Sequence, residues 1–428
     1  MQVRFCLSVT VILAAATAAI AQPPSATSAP GGRKSGRDVP VVLSARVGEH
    51  SDRTRFVVEL SDPVKLRVFM LANPDRVVID MPEVLWALKS PDRPSGKGAV
   101  KSYRYGLFRP GDSRFVIDLN TPVSAPEPTI LPPQSGLGYR VVFDLFPTTQ
   151  AKFEEASGWP ADLKAKEAEA EKLAALIGAG EGIRKTGSQS TRKIIVLDPG
   201  HGGIDSGTTG VDGLMEKDLV LDEAKRLAIV LRKRGYVVRL TRDSDVYIPL
   251  KQRVDIARAA NADLFVSLHA DSNPDAAVNG ASVYTLSEKG SDREAALLAK
   301  KENQSDIIAG VDLTGQDNTV SQILIDLAQR DTMNRSVRFA QKVVDQLSHA
   351  TDVIARMPHR SAAFVVLKAP DVPAVLIELG YLSNIRDCDQ MGTEAWRLAV
   401  ANSISNAIER QFAPEQASAA ALAGTIDH

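Results

Sequence analysis

The chain is poor in cysteine and histidine, with two and six of these in 428 residues. Cys6 lies in the N-terminal apolar segment that is expected to be cleaved, which leaves Cys388 alone, so no internal disulfide is expected and core burial must hold the fold. With no second Cys or adjacent His, Cys388 reads as a small buried apolar residue. Net charge is also missing: 51 Lys and Arg against 52 Asp and Glu leave −1. The globular regions carry no dense Lys/Arg block, so no nucleic-acid partner is expected, because phosphate neutralisation needs concentrated positive charge. The N-terminal apolar run, diluted by Ser8, Thr10 and Thr17, falls short of the roughly 20 residues of a membrane span.

What is present is an ordinary soluble composition, 44% hydrophobic and 24% charged, at a length that suits two domains. Residues 1–21 combine Arg4, an apolar stretch and a small-residue AIA, the pattern of a cleaved secretory signal; no transmembrane anchor is expected after cleavage. Pro, Ser and Gly crowd 22–40, a flexible tether. Over 41–147 a six-residue pattern recurs, RFVVEL, RVVIDM, RFVIDL and RVVFDL, each alternating with period two. It predicts half-buried strands of an all-β sandwich, with Arg and acid pairing across strands on a solvated face. Tyr103, Tyr105 and Phe108, read as loop residues, suit core packing, with stacking on sugars as the other reading. Residues 148–192 form a linker whose Ala, Glu and Lys content predicts a helix ending at Gly178.

From 193 to 412 the texture becomes KIIVLD, YVVRLT, DLFVSLH, ASVYTL, FVVL and AVLIEL, separated by helical patterns. This predicts an α/β domain with a mostly parallel sheet covered by helices, followed by a tail at 413–428. Four residues at element ends stand out. His201 sits among glycines in LDPGHGGIDSG, after a buried strand; the cluster lacks the lysine and spacing of a phosphate loop, and a central histidine suits metal binding better. Glu216 directly precedes a helix, where a carboxylate is favoured by the helix dipole alone. His269 ends a strand, where a hydrogen-bonded core histidine is the plain alternative. Together they supply two His and one Glu, the ligand set of a hydrolytic zinc site with a fourth position left for water. Glu378 closes the apolar AVLIEL, a costly place for a carboxylate without a role, and can act as the proton-transferring base.

The motifs VLDPGHGG, GLMEKDLVL, SLHAD and IELGYLSN make the stretch from 193 to 412 resemble the catalytic domain of zinc-dependent N-acetylmuramoyl-L-alanine amidases. Residues 41–147 resemble the AMIN targeting domain attached to such enzymes in Gram-negative bacteria. The resemblance implies that His201, Glu216 and His269 bind one zinc ion per chain and that Glu378 is the catalytic acid/base. It implies hydrolysis of the amide between N-acetylmuramic acid and L-alanine of peptidoglycan, in the periplasm, at the septum, during daughter-cell separation. Residues 288–335 exceed ordinary connections in length, and Val320, Ile323, Leu324 and Leu327 predict an amphipathic helix within them. They resemble the regulatory insertion of cell-division amidases, which implies autoinhibition relieved by a LytM-type activator and divisome components as partners. Glu294 and Glu302 are the candidates for capping the metal; an extra packed hairpin is the plain alternative. Two rival functions remain at this stage: a zinc carboxypeptidase or endopeptidase acting on the stem peptide, and a noncatalytic peptidoglycan-binding regulator.

Overall fold

A computed structural model describes residues 39–88, 96–109, 111–134, 136–165, 192–311 and 322–424. The expected signal segment, the tether up to 38, Val320 and most of the helix expected to end at Gly178 lie outside them.

The N-terminal region comprises β1 (Val41–Glu49), β2 (Thr54–Leu60), β3 (Arg67–Leu71), β4 (Arg76–Pro82), β5 (Leu85–Trp86), β6 (Val100–Arg109), β7 (Asp112–Leu119), β8 (Val123–Ser124), β9 (Thr129–Leu131), β10 (Tyr139–Pro147) and the short helix α1 (Gln150–Ala156). One sheet runs β5-β1-β2-β10-β8 with β9 also on β10, the other β3-β4-β7-β6. Alternation explains the sandwich: Phe56, Val58, Val77, Ile79, Phe115 and Phe143 bury one face of each strand between the sheets.

The solvated-face expectation holds for one sheet only. On the first, Arg55 pairs with Asp144 across β2 and β10 at 2.7 Å, both partly exposed. On the second, Arg114 of β7 pairs with Asp80 of β4 as the register dictates, yet that guanidinium is 1% exposed. Val78 and Val116 beside it are covered by Phe108, Trp159, Ile204, Tyr247 and Ala309. A period of two reports which residues share a face, not what lies over it. Tyr103, Tyr105 and Phe108 lie on strand β6, not in a loop, and pack against Phe56, Trp86 and Tyr247 respectively.

The C-terminal domain follows as β11 (Ile194–Pro199), α2 (Glu216–Lys233), β12 (Val237–Leu240), α3 (Leu250–Ala259), β13 (Leu264–His269), β14 (Ser282–Leu286), α4 (Arg293–Glu302), α5 (Ser305–Ile308), α6 (Gln322–Leu347), β15 (His359–Ala362), β16 (Ala374–Glu378), α7 (Ile385–Met391) and α8 (Glu394–Gly424). Its sheet has the order β12-β11-β13-β16-β14-β15. The first four strands are mutually parallel, and β14 runs antiparallel to β16. Leu227, Phe339, Val343 and Ile404 of α2, α6 and α8 cover Ile195, Val266 and Val375 on one face. Val254 and Leu298 of α3 and α4 cover Val196, Phe265 and Leu376 on the other.

Two expectations change. FVVL is not a strand: Val365–Leu367 forms a 3-10 turn with Phe364 packed 5.4 Å from the Tyr284 ring, and the polar His359–Ala362 takes the sheet edge. A four-residue apolar run fits a buried turn as well as a strand. The expected tail from 413 continues α8 as far as Gly424, in keeping with its alanine-rich sequence. Cys388 is buried as expected and unpaired. Among the described residues no helix is long and apolar enough to cross a membrane.

Candidate metal centre

The site lies where β11, β13 and β16 end, the edge at which open parallel sheets gather their ligands. Pairing of β13 with β16 sets His269 directly beside Glu378. His201 follows β11 with φ 56°, a left-handed conformation uncommon outside glycine. Arg253 holds it there, donating to the His201 carbonyl at 2.7 Å, to Pro199 O at 2.8 Å and to Asp198 Oδ1 at 2.9 Å. Arg242 donates to Gly200 O and Lys217 O, each at 2.8 Å, which ties the His201 loop to the first turn of α2. A side chain at Gly200 would place its Cβ 2.3 Å from the His269 ring, so only glycine lets the two histidines close up.

Glu216, the first residue of α2, is fully buried. Its Oε2 accepts from Thr208 N at 2.8 Å and its Oε1 from Ala270 N at 3.0 Å. The same Oε1 lies 3.1 Å from His201 Nε2 and 3.2 Å from His269 Nδ1. The three residues offer ligand atoms all within 4.8 Å of one another. His201 Nδ1 meets Asp205 Oδ2 at 2.9 Å, leaving Nε2 to face the cluster, a second carboxylate support typical of metal-binding histidines.

The electrostatics suit a cation. Burial disfavours the His201 imidazolium, but Glu216, Asp205 and Glu302 outweigh it and hold its pKa well above the usual value. Burial would raise Asp205, but the neighbouring His201 brings it down to about 2. Burial, then Glu216 and Glu302, push Glu378 well above the carboxylate range. Its Oε2 accepts from Asp271 N at 3.0 Å, while Glu378 Oε1, Glu302 Oε1 and His201 Nε2 are buried without hydrogen-bond partners. Carboxylates crowded about two imidazole rings, with buried polar atoms left unpartnered, form a donor set that a divalent ion satisfies once it displaces the imidazole proton.

The structure thus brings His201, Glu216, His269 and Glu378 together. Glu302, the last residue of α4, joins them, its Oε2 3.2 Å from His269 Nδ1 and 3.4 Å from His201 Nε2. Glu294 does not: its largely exposed carboxylate takes a 2.7 Å hydrogen bond from Arg360. Sequence reasoning missed Asp205, Arg242 and Arg253. Asp205 stands four residues after His201 in the same glycine-rich motif and was within reach; the arginines, 41 and 52 residues on, resemble ordinary surface arginines until the fold buries them.

A His-Glu-His set beside a buried carboxylate at the edge of a parallel sheet is the arrangement of metal-assisted hydrolases. Within that class the chain belongs to the N-acetylmuramoyl-L-alanine amidase family, which residues 195–410 match, and residues 44–143 match the AMIN domain. N-acetylmuramoyl-L-alanine amidase AmiC of Escherichia coli O6:H1 is 36% identical over 380 residues, 87% of this chain and 89% of that protein. AmiC of Neisseria meningitidis serogroup B is 33% identical over 381 residues, 87% of this chain and 90% of that protein. AmiA of Salmonella typhimurium is 41% identical over 236 residues, 54% of this chain and 81% of that protein. Among solved structures, the catalytic domain of CwlV from Bacillus (Paenibacillus) polymyxa var. colistinus is 27% identical over 51% of this chain and 97% of that chain, with a TM-score of 0.36.

Proposed function

We propose that this chain is an exported periplasmic enzyme that hydrolyses the amide between N-acetylmuramic acid and L-alanine of septal peptidoglycan. In this reading His201, Glu216 and His269 hold one zinc ion and Glu378 is the general acid/base. The observation that carries it is the meeting of those three donors beside a Glu378 whose Oε1 has no partner. Zinc at a site of three protein ligands supplies Lewis acidity toward an amide carbonyl and toward water.

The rest is the work of the chain. Asp271 N holds Glu378 Oε2, which leaves Oε1 to take a proton from the attacking water and return it to the departing amine. Its raised proton affinity suits the first half of that transfer, the taking of the proton. Asp205 fixes the His201 ring so that Nε2 faces the cluster. In the state described here Glu302 lies against both imidazoles, which supports an inhibitory part for α4 and α5, relieved by a LytM-type activator. Glu294, paired with Arg360, is left without that part.

Metal content of the purified protein, with mass spectrometry of digested peptidoglycan in the presence of the activator, tests the reading. Stoichiometric zinc and release of intact stem peptides from the glycan are expected. Shortened stems still attached to glycan would mean a carboxypeptidase or endopeptidase, and no product at all would mean a noncatalytic wall-binding protein.

A further inference from the structure

The covered face of the β3-β4-β7-β6 sheet has a specific occupant. Arg76 Nη1 donates to Ile307 O at 2.6 Å, Arg104 Nε donates to Ile308 O, and Arg114 Nη1 donates to Ala309 O at 3.1 Å and Gly310 O at 2.9 Å. Three arginines of three adjacent strands thus bind four consecutive carbonyls at the C-terminal end of α5. Those carbonyls lie at and beyond the last turn of a helix, where backbone acceptors lose their intrahelical donors, and Ile307 O also accepts from Gly310 N at 3.1 Å. The arginines are themselves fixed: Arg104 and Arg114 by Asp118 and Asp80, and the Arg114 guanidinium by the Phe108 ring 3.6 Å beneath it.

The other end of the same segment is tied to the metal site. Lys301 donates to Thr208 Oγ1 at 3.0 Å and pairs with Asp271, Glu302 touches both histidines, and Ser305 bonds Asp205. Asp306 accepts from Tyr247 OH at 2.7 Å and Leu250 N at 3.0 Å. Only four residues separate Glu302 from the first carbonyl that the arginines hold. The N-terminal domain also meets the His201 loop: a Cβ on Gly106 of β6 would sit 2.8 Å from the backbone of Gly203 and Ile204.

We propose that this arginine face of the N-terminal domain is a latch for the α5 carbonyls, so that the domain holds Glu302 over the metal site as well as carrying any targeting role. The proposal rests on the inhibitory reading of α4 and α5 given above. Opening the site then requires the bonds of Arg76, Arg104 and Arg114 to these carbonyls to break together with those made by Glu302 and Ser305, and a change in the N-terminal domain is felt at the catalytic centre.

The test uses the full-length protein in three forms: unsubstituted, Arg76→Gln with Arg104→Gln, and Glu302→Gln. Arg114 is left alone because it carries the domain's own core. Release of label from dye-labelled peptidoglycan without activator and amide hydrogen exchange across 303–311 are both measured. Loss of a charge-assisted hydrogen bond predicts a rise of about tenfold in exchange and in basal release for the arginine variant, and Glu302→Gln raises basal release as well. If Glu302→Gln is activated while the arginine variant keeps the unsubstituted protein's release rate or its exchange, the latch is overturned and the inhibitory reading stands. If Glu302→Gln stays at the basal rate, the inhibitory reading fails and takes the latch with it. Should the double variant fold poorly, Arg104→Lys keeps the charge beside Asp118 but loses the guanidinium bond to Ile308 O, and it is judged by the same two readouts.

Discussion

Glu378 and Glu223 are both fully buried carboxylates in one domain, and their surroundings give them different consequences. Glu378 has one oxygen held by Asp271 N and one oxygen without a partner beside the His201, Glu216 and His269 cluster. Glu378→Gln keeps the shape and removes the proton acceptor, so turnover should fall by about 10²–10⁴ while zinc content measured by mass spectrometry stays that of the parent. Retained turnover would remove Glu378 from the chemistry. Glu223 on α2 has no hydrogen bond to either oxygen, its nearest cation being Arg226 at 3.9 Å. Burial pushes its pKa up to about 8 from 4.5. The folded state therefore binds an extra proton between those values, and Glu223's contribution to stability is full below pH 4.5 and lost as the pH rises to about 8. Glu223→Gln should leave the melting temperature nearly unchanged at pH 4.5 and raise it at pH 8.5, by the equivalent of a few kcal/mol at most. Equal melting curves at both pH values would show that Glu223 is solvated.

At the scale of elements, α4 and α5 differ in what they can lose. Helix α4 buries Ala295, Leu298 and Ala299 against the sheet, so excising 290–330 would remove core as well as Glu302. Point changes separate the two. Asp306 of α5 joins the segment to the catalytic domain through Tyr247 OH and Leu250 N, both buried. Asp306→Ala leaves these donors unsatisfied and should cost roughly 1–3 kcal/mol in urea unfolding. A smaller loss would mean that water replaces the carboxylate. The α2 N-terminus shows the opposite arrangement: its dipole, Thr208 N and Ala270 N all favour the ionised Glu216, so that carboxylate is ready for a cation without reorganisation.

Over the whole molecule, the N-terminal sandwich and the catalytic domain share an apolar cluster of Phe69, Val78, Phe108, Val116, Trp159 and Tyr247. With the arginine contacts, it joins the N-terminal sandwich to the catalytic domain over the described residues. One calorimetric unfolding transition is expected. Trp159 is 5% exposed and set edge-on to Phe69 at 5.3 Å. Trp159→Ala should lower stability by about 3–5 kcal/mol and split that transition in two, the weaker belonging to the sandwich. A single transition with an unchanged midpoint would show that the domains are joined elsewhere.

Local pattern was enough for the strand alternation from Arg55 to Asp144 and for marking His201, Glu216, His269 and Glu378 as residues at element ends, which the fold brings together. Each depends on neighbours in sequence or on a strand end that hydrophobic runs already mark. FVVL misled because an apolar run that short carries no period, and Arg242 and Arg253 stayed hidden because burial of a charge depends on partners far along the chain. The amino-acid order by itself determined which faces are apolar and which residue types close the catalytic strands. Only the tertiary structure decided that Glu302 rather than Glu294 reaches the donors, and that the second sheet's charged face looks onto protein instead of water. The arginine contacts join segments some 200 residues apart and Glu302 meets His201 across about 100, and no periodicity encodes which of two chemically equivalent partners chain folding brings within hydrogen-bonding distance.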